Sequence, residues 1–250
     1  QIEALARDYG TTKPAAIRLN YGMQRARGGG NAVRAVACLP ALTGAWRQRA
    51  GGLLLSSSSS APARRGALQM PALLGVRQPR TVNMSTIGDA LLQPASAGFG
   101  PQIAALVCYN SNPVAVAPDS AKVVKGFARE DLFTVVLEHF MTDTADYADY
   151  VLPATSQLEH WDIHTSYGHT DVLLNRPAIA PLGQARSNAQ IFRDLAAQMA
   201  RYDSAFAAPH FADSDEELCR QAVDPTRIPF EQLLEQGFVA QNLPDAPFAN

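Results

Sequence analysis

A chain of 250 residues is long enough for one large domain or two small ones with a packed core. Hydrophobic residues make up 47% and charged residues 18%, a globular composition, and the formal net charge of -2 gives no electrostatic basis for binding nucleic acid or an anionic membrane. The three cysteines, Cys38, Cys108 and Cys219, sit far apart with no CxxC spacing, which argues against a disulfide framework and against a zinc or iron–sulfur site built from them.

No apolar run approaches the length that spans a bilayer, so no membrane insertion by this chain is expected. The chain begins at Gln1 and enters a helix at once over residues 2 to 9, with Ile2, Leu5, Ala6 and Tyr9 on one face and Gly10 as its stop. It lacks the charged segment and apolar core of a signal peptide, and an amino-terminal piece is expected to be missing. Residues 15 to 20 read as a short strand, with Tyr21 to Arg25 at its carboxyl end. Gly28, Gly29 and Gly30 follow, and Asn31 is expected to cap a helix from Ala32 to Leu39, interrupted or bent by Pro40 and ended near Gly44. Residues 51 to 102, with a serine run and much Pro and Gly, read as an irregular or low-complexity connection holding one short helix from Thr86 to Leu92.

The most regular pattern spans 103 to 200. An apolar strand, Ile103 to Tyr109, runs into Asn110-Ser-Asn-Pro113. A helix capped by Asp119 puts Val123, Val124 and Phe127 on one face, and a second apolar strand, Leu132 to Leu137, ends in Glu138. A turn over 144 to 148 leads to a third short strand, Tyr150 to Pro153. Residues 159 to 162 and 165 to 169 read as polar loops and 175 to 181 as an extended segment. Asn188, or Ser187 beside it, caps a helix with Ile191, Phe192, Leu195 and Met199 as its stripe. Helices at 216 to 223 and 230 to 236, the latter ended by Gly237, precede a Pro- and Ala-rich tail. The expected fold is α/β, a Rossmann-like doubly wound sheet with helices on both faces, incomplete at both ends. Residues 1–50 would close one α/β domain, 51–102 connect, 103–200 form the cofactor-binding domain, and 201–250 lead onward as a helical tail.

In open α/β sheets ligands sit at the carboxyl ends of the strands, where a carboxylate such as Glu138 can accept ribose hydroxyls and the amides of Asn110 to Asn112 can face a phosphate or base. Thr142, Asp143 and Thr144 suit capping or polar ligand contacts. No GxGxxG, GxxxxGK[ST] or GxSxG occurs, which disfavours ordinary NAD, P-loop and serine-hydrolase chemistry. His139, His160, His164, His169 and His210 have no evident nucleophile to serve. The group of His160, His164 and His169 with Glu159 and Asp162 fits no HExxH spacing, so hydrogen-bonding roles are expected rather than a metal site.

Several ordered motifs carry a family likeness: Asn20-Tyr-Gly22, Val33-Arg-Ala35, Leu39-Pro-Ala-Leu-Thr-Gly44, Tyr109-Asn-Ser-Asn-Pro113, Phe140-Met-Thr-Asp-Thr144, Tyr147-Ala-Asp-Tyr-Val-Leu-Pro-Ala154, Glu159, Tyr167-Gly-His169, and Asn175-Arg-Pro-Ala-Ile-Ala-Pro-Leu-Gly183 followed by Ala185-Arg-Ser-Asn188. With them the chain resembles the molybdopterin oxidoreductases of the dimethyl-sulfoxide-reductase type, which include formate dehydrogenases and nitrate reductases. Residues 53 to 99 match poorly and are read as a divergent insertion or a damaged reading frame.

The resemblance implies a bis(molybdopterin guanine dinucleotide) molybdenum or tungsten cofactor. It places Leu137 and Glu138 at a guanosine with Asn112 nearby, His160 and Asn188 at cofactor contacts, and Tyr21 and Arg25 around a pterin-contacting glycine turn. Arg25 stands where the family often has Gln. No catalytic residue is assigned: the metal ligand and a [4Fe-4S] cluster are expected in a preceding segment, so that the chain would be the middle of a catalytic subunit. The implied partners are a small-molecule redox substrate and an electron-transfer subunit; no compartment is assigned from the sequence. The alternatives are a non-catalytic scaffold or electron-transfer subunit keeping this fold without molybdenum, and a free-standing nucleotide-binding module.

Overall fold

The computed structural model describes residues 1–56, 64–76, 79–206, 211–241 and 243; His210 and most of the Pro- and Ala-rich tail lie outside them. In chain order the elements are α1 (Ile2–Thr11), β1 (Ala16–Arg18), α2 (Gly29–Thr43), β2 (Gly52–Leu54), α3 (Arg65–Gln69), α4 (Ile87–Leu92), β3 (Ala105–Tyr109), α5 (Pro113–Val116), α6 (Ser120–Phe127), β4 (Phe133–Glu138), β5 (Tyr150–Pro153), β6 (Asp162–His164), β7 (Val172–Asn175), α7 (Asn188–Met199), α8 (Asp215–Ala222), α9 (Phe230–Gln236) and β8 (Phe238–Val239). They form two compact units: Gln1–Ala63 with Ile163–Leu174 and Val223–Asn250, and Arg64–Asp162 with Asn175–Ala222. No helix among the described residues is long and apolar enough to cross a membrane.

The second unit is built on a parallel sheet in the order β3-β4-β5. Tyr109 lies opposite Leu137 and Leu137 opposite Leu152, so the three carboxyl ends share one edge. Alternation along the strands sends Leu106, Cys108, Val136 and Val151 to one face and Val107, Val135, Leu137 and Leu152 to the other. Against the first face lies the core of Leu91, Val114, Val123, Phe127 and Leu132, carried by α4, α5, α6 and the turn into β4. Helices α4 and α6 pack closely because two positions lack a side chain. A Cβ on Gly88 would stand 2.8 Å from the Val123 nitrogen, and one on Gly126 would stand 2.7 Å from Leu91 Cβ. Arg129 ties this corner together. Its guanidinium donates to the carbonyls of Leu91 (2.5 Å) and Ile103 (3.1 Å) and grips Asp131 with two further bonds. That pairing holds the Asp131 carboxyl below its usual range.

On the second face, α7 sets Phe192 edge-on to Tyr109 with ring centroids 5.3 Å apart. An apolar cleft of about 550 Å³ remains between Val107, Val135 and Leu137 on the sheet and Ile191, Phe192 and Leu195 on the helix. Helices therefore cover both faces of a parallel sheet, as the doubly wound pattern requires. Ser187 caps α7, its hydroxyl accepting from the Gln190 amide at 3.1 Å.

Two caps differ from the sequence reading. Asp119 precedes α6, but its backbone is left-handed (φ 58°) and its side chain makes no cap bond. N-cap residues bond from extended backbone; here the carboxylate pairs with Lys122 at 2.9 Å instead. Asn31 is not a cap at all: α2 starts at Gly29, with Gly28 at φ 79° as its N-cap.

In the first unit β1 and β2 pair in parallel, Ala16 opposite Gly52 and Arg18 opposite Leu54. Helix α2 runs through Pro40 to Thr43 and stops at Gly44, whose φ is 70°. The turn Tyr21–Arg25 rests on the start of α2, where a Cβ on Gly29 would stand 2.6 Å from the Met23 carbonyl oxygen. Strand β7 pairs antiparallel with β8, Val172 opposite Val239. Strands β2, β6, β7 and β8 have no counterpart among the strands of the sequence reading. Each has at most four residues, too few to show a period of two.

Candidate functional site

At the carboxyl edge of the β3-β4-β5 sheet the loops are stitched by side chains. Asn112 Oδ1 accepts from the Thr144 hydroxyl (2.7 Å) and amide (3.1 Å), while its Nδ2 donates to Asp143 (3.2 Å). Thr144, fully buried, takes the Val114 amide at 3.1 Å and so seats the start of α5. Asn112 thus joins the loop after β3 to the loop after β4, and its amide is spent on protein partners. Asn110 adopts φ 53°, a left-handed conformation that Asn tolerates better than most residues. Its Oδ1 accepts from Asn188 Nδ2 at 2.9 Å, drawing the first residue of α7 to the same edge. Asn188 Oδ1 is buried and has no partner among the described residues.

Glu138 closes β4, half-buried. One carboxylate oxygen accepts from the His139 amide at 2.7 Å, and the other has no partner among the described residues. Leu137 is 2% exposed, so it offers this edge its backbone while its side chain lines the cleft under α7. Burial, and then the nearby charge of Glu138, push the Cys108 thiol up, and that thiol donates to the Ser111 carbonyl at 3.2 Å. It is an inert packing group rather than a nucleophile.

Beyond β5 a third loop joins the edge. His139 Nε2 donates to the Thr155 carbonyl at 2.9 Å, and the Thr155 hydroxyl meets His160 Nδ1 at 2.9 Å. Glu159, buried, accepts from the Ser156 hydroxyl and amide at 2.7 Å each and from the Leu182 amide at 2.6 Å. Those three bonds, the Ser156 hydroxyl foremost, hold its carboxyl below the usual range. Asn175 Nδ2 donates to the carbonyls of Gln157 (2.6 Å) and His160 (2.8 Å), pinning the chain on both sides of Glu159.

Tyr21 and Arg25 belong to the first unit. Asn20 Oδ1 accepts from the Tyr21 amide at 2.7 Å and starts the turn; Arg25 ends it, exposed. The Tyr21 phenol bonds that of Tyr167, which also bonds Ser56 and carries the Arg18 guanidinium over its ring at 5.6 Å. Ser56, then Tyr21, and then the Arg18 charge lower the Tyr167 phenol below its usual range. Among the described residues no three His, Cys, Asp or Glu side chains gather as metal ligands.

Five of the sequence-stated positions, Asn112, Leu137, Glu138, His160 and Asn188, thus lie in one unit and two, Tyr21 and Arg25, in the other. The sequence reading put Asn110 in the ligand-facing loop after the first strand, but did not single out Thr155, Arg18 or Tyr167 as site residues. Asn110 carried a signal, an Asn directly after an apolar strand; Thr155 carried none.

The chain matches the family profile "Molybdopterin oxidoreductase" over residues 4–198. It is 45% identical over 244 residues to the "Probable oxidoreductase YoaE" of Bacillus subtilis (strain 168), covering 95% of this chain and 34% of that protein. It is 28% identical over 223 residues to the "Dimethyl sulfoxide/trimethylamine N-oxide reductase" of Rhodobacter capsulatus, covering 80% of this chain and 27% of that one. Among solved structures, acetylene hydratase from Pelobacter acetylenicus superposes with a TM-score of 0.69 at 21% identity, covering 97% of this chain and 37% of that chain. The chain spans about a third of the length of the curated relatives it matches. With a parallel α/β sheet, a polar carboxyl edge and a profile match over most of its length, the chain belongs to the molybdopterin oxidoreductase family.

Proposed function

We propose that this chain forms part of the catalytic subunit of a molybdenum or tungsten oxidoreductase and holds the guanosine arms of a bis(molybdopterin guanine dinucleotide) cofactor. The observation that carries this reading is the pair of unspent acceptors at the sheet edge. Among the described residues, one oxygen of Glu138 lacks a partner, and Asn188 Oδ1 is both buried and unpaired. Buried polar atoms are bonded in folded proteins, so an orphan acceptor fits a ligand rich in donors, and a guanosine offers ribose hydroxyls and base N–H groups. The residues present therefore fit the group.

Glu138 would accept from ribose hydroxyls, as a carboxylate at a strand end does in nucleotide-binding sheets. Asn188 would accept from a donor of the base or sugar. Asn112 would act at one remove, by holding the two strand-end loops in register. Tyr21 and Arg25 would meet the pterin end of an arm. When bound, the group supplies two-electron redox or oxygen-atom-transfer chemistry at its metal; this chain binds, orients and shields its arms. Among the described residues Cys38, Cys108 and Cys219 join no group of three His, Cys, Asp or Glu, so an iron–sulfur cluster in such an enzyme would be held by other residues.

The test is metal and nucleotide analysis of the intact protein. Molybdenum or tungsten should be released together with guanine nucleotide, and Glu138→Ala should lower both by about tenfold, the loss of a charge-assisted hydrogen bond. A well-folded protein with neither metal would favour the non-catalytic scaffold, and unchanged contents in Glu138→Ala would remove Glu138 from the site.

A further inference from the structure

Thr155 joins two histidines at the sheet edge, and its own hydrogen-bond requirements fix what they can do. It is 3% exposed, and its carbonyl accepts from His139 Nε2. Its hydroxyl has one partner among the described residues, His160 Nδ1 at 2.9 Å. A hydroxyl has one proton to give. If Nδ1 held the imidazole proton, it would donate to Thr155, and the hydroxyl's own proton would face no acceptor in a buried site, an expensive omission. With Thr155 as donor, both groups are satisfied. Uncharged His160 then accepts at Nδ1 and carries its proton on Nε2, an atom with no bond to the described residues.

The two rings therefore differ. His139 also carries a proton on Nε2, but spends it on the Thr155 carbonyl. His160 keeps its donor, and the backbone around it is held on both sides. Glu159 clamps Ser156 and Leu182, and Asn175 clamps the carbonyls of Gln157 and His160. A side chain on a fixed backbone with a fixed tautomer is a preorganised donor.

We infer that Thr155 is a positioning residue that locks His160 in its Nε2–H form, so that His160 donates to an acceptor oxygen of the nucleotide arm; this rests on the cofactor reading above. The ligand atom is an oxygen of phosphate, sugar or carbonyl character.

The intact protein, labelled with nitrogen-15 in its histidine rings, gives the direct measurement, with His160 assigned by its absence in His160→Gln. The expected spectrum shows a pyrrole-type Nε2 and a pyridine-type Nδ1 at His160. Thr155→Val should mix the tautomers and weaken retention of guanine nucleotide by about tenfold, while Thr155→Ser restores both. His160→Glu, which cannot donate when ionised, should lose as much as Thr155→Val, and His160→Gln should recover part of it. A loss in Thr155→Val that Thr155→Ser also shows, with the tautomer unchanged in both, would mean packing alone and overturn the inference. So would an Nδ1–H form in the wild type, or full retention in Thr155→Val. Those results leave the cofactor reading standing; a wild-type protein devoid of guanine nucleotide removes both.

Discussion

The two polar strand edges of this chain are held by different means. At the carboxyl edge of β3-β4-β5, side chains hold one another: Asn112 bonds Thr144 and Asp143, Asn110 bonds Asn188, and Thr155 bonds His160. At the carboxyl end of β1, the turn of Tyr21–Arg25 is started by the Asn20 side chain, which accepts from the Tyr21 amide, and it rests on the close approach of Gly29 to its backbone. The first edge is sensitive to losing a functional group, because each loss strands a partner. The second is sensitive to gaining an atom, because its contact is steric. Substitutions of opposite chemical kind should therefore damage the two.

The largest effect is expected from Asn112→Ala. It removes three hydrogen bonds and leaves the fully buried Thr144 hydroxyl without its acceptor. A cost of about 2–3 kcal/mol is expected in denaturant unfolding, with faster amide exchange at 114–116 and 143–145. A cost under about 0.5 kcal/mol would mean the edge does not depend on side-chain pairing. Gly29→Ala makes the opposite change. Its Cβ would meet the Met23 oxygen at 2.6 Å and the Gln24 carbonyl carbon at 2.8 Å. Both are backbone atoms, so the turn must shift, at about 1–2 kcal/mol. Exchange should rise at 21–25, and a variant with unaltered exchange there would show that the turn does not rest on α2.

Glu159 sharpens the comparison through pH. Its carboxyl is depressed in the folded chain by the Ser156 and Leu182 donors. A group with a lowered folded value stabilises fully above its unfolded range, and that contribution fades as pH falls through the folded value. Unfolding measured downward from pH 6 should therefore lose stability below the ordinary glutamate range, about 4.3, and Glu159→Gln should flatten that slope. Local exchange at 155–160 should follow the same curve; an unchanged slope in Glu159→Gln would sink the assignment.

The same contrast explains what could be read from sequence. Strands β3, β4 and β5 are apolar runs closed by turn residues, so their carboxyl ends, and Glu138 at one of them, could be located by pattern. Strand β2 could not: Gly52-Leu-Leu54 has no alternation, and Gly52 is required by the Trp46 ring, which would stand 2.6 Å from a Cβ there. The partners of the site residues were also hidden. Asn112 finds Thr144 across 32 positions and Asn188 finds Asn110 across 78, and no local pattern encodes either pairing. The candidate contact at His160 came from family likeness, and Asn112 also stood in the loop after an apolar strand; that Asn112 clamps two loops and that the Thr155 hydroxyl meets His160 Nδ1 came only from the assembled edge.

Arg25 should show the smallest effect on stability and gives the sharpest separation of folding from binding. It ends the Tyr21–Arg25 turn, exposed. Exposed substitutions away from caps, networks and strained backbone usually change stability by less than about 0.5 kcal/mol, so Arg25→Gln should unfold with the wild type. The exchanged group is nonetheless different in kind, because a guanidinium is always charged and presents a planar fork of donors, whereas an amide is neutral and offers both a donor and an acceptor. If the turn meets the pterin end of an arm, Arg25→Gln should change cofactor retention and its dependence on ionic strength while the unfolding curve stays in place, since salt screens an exposed charge. Unchanged retention at both low and high salt would make Arg25 a solvated surface charge, and any pterin contact of this turn would then rest on Tyr21.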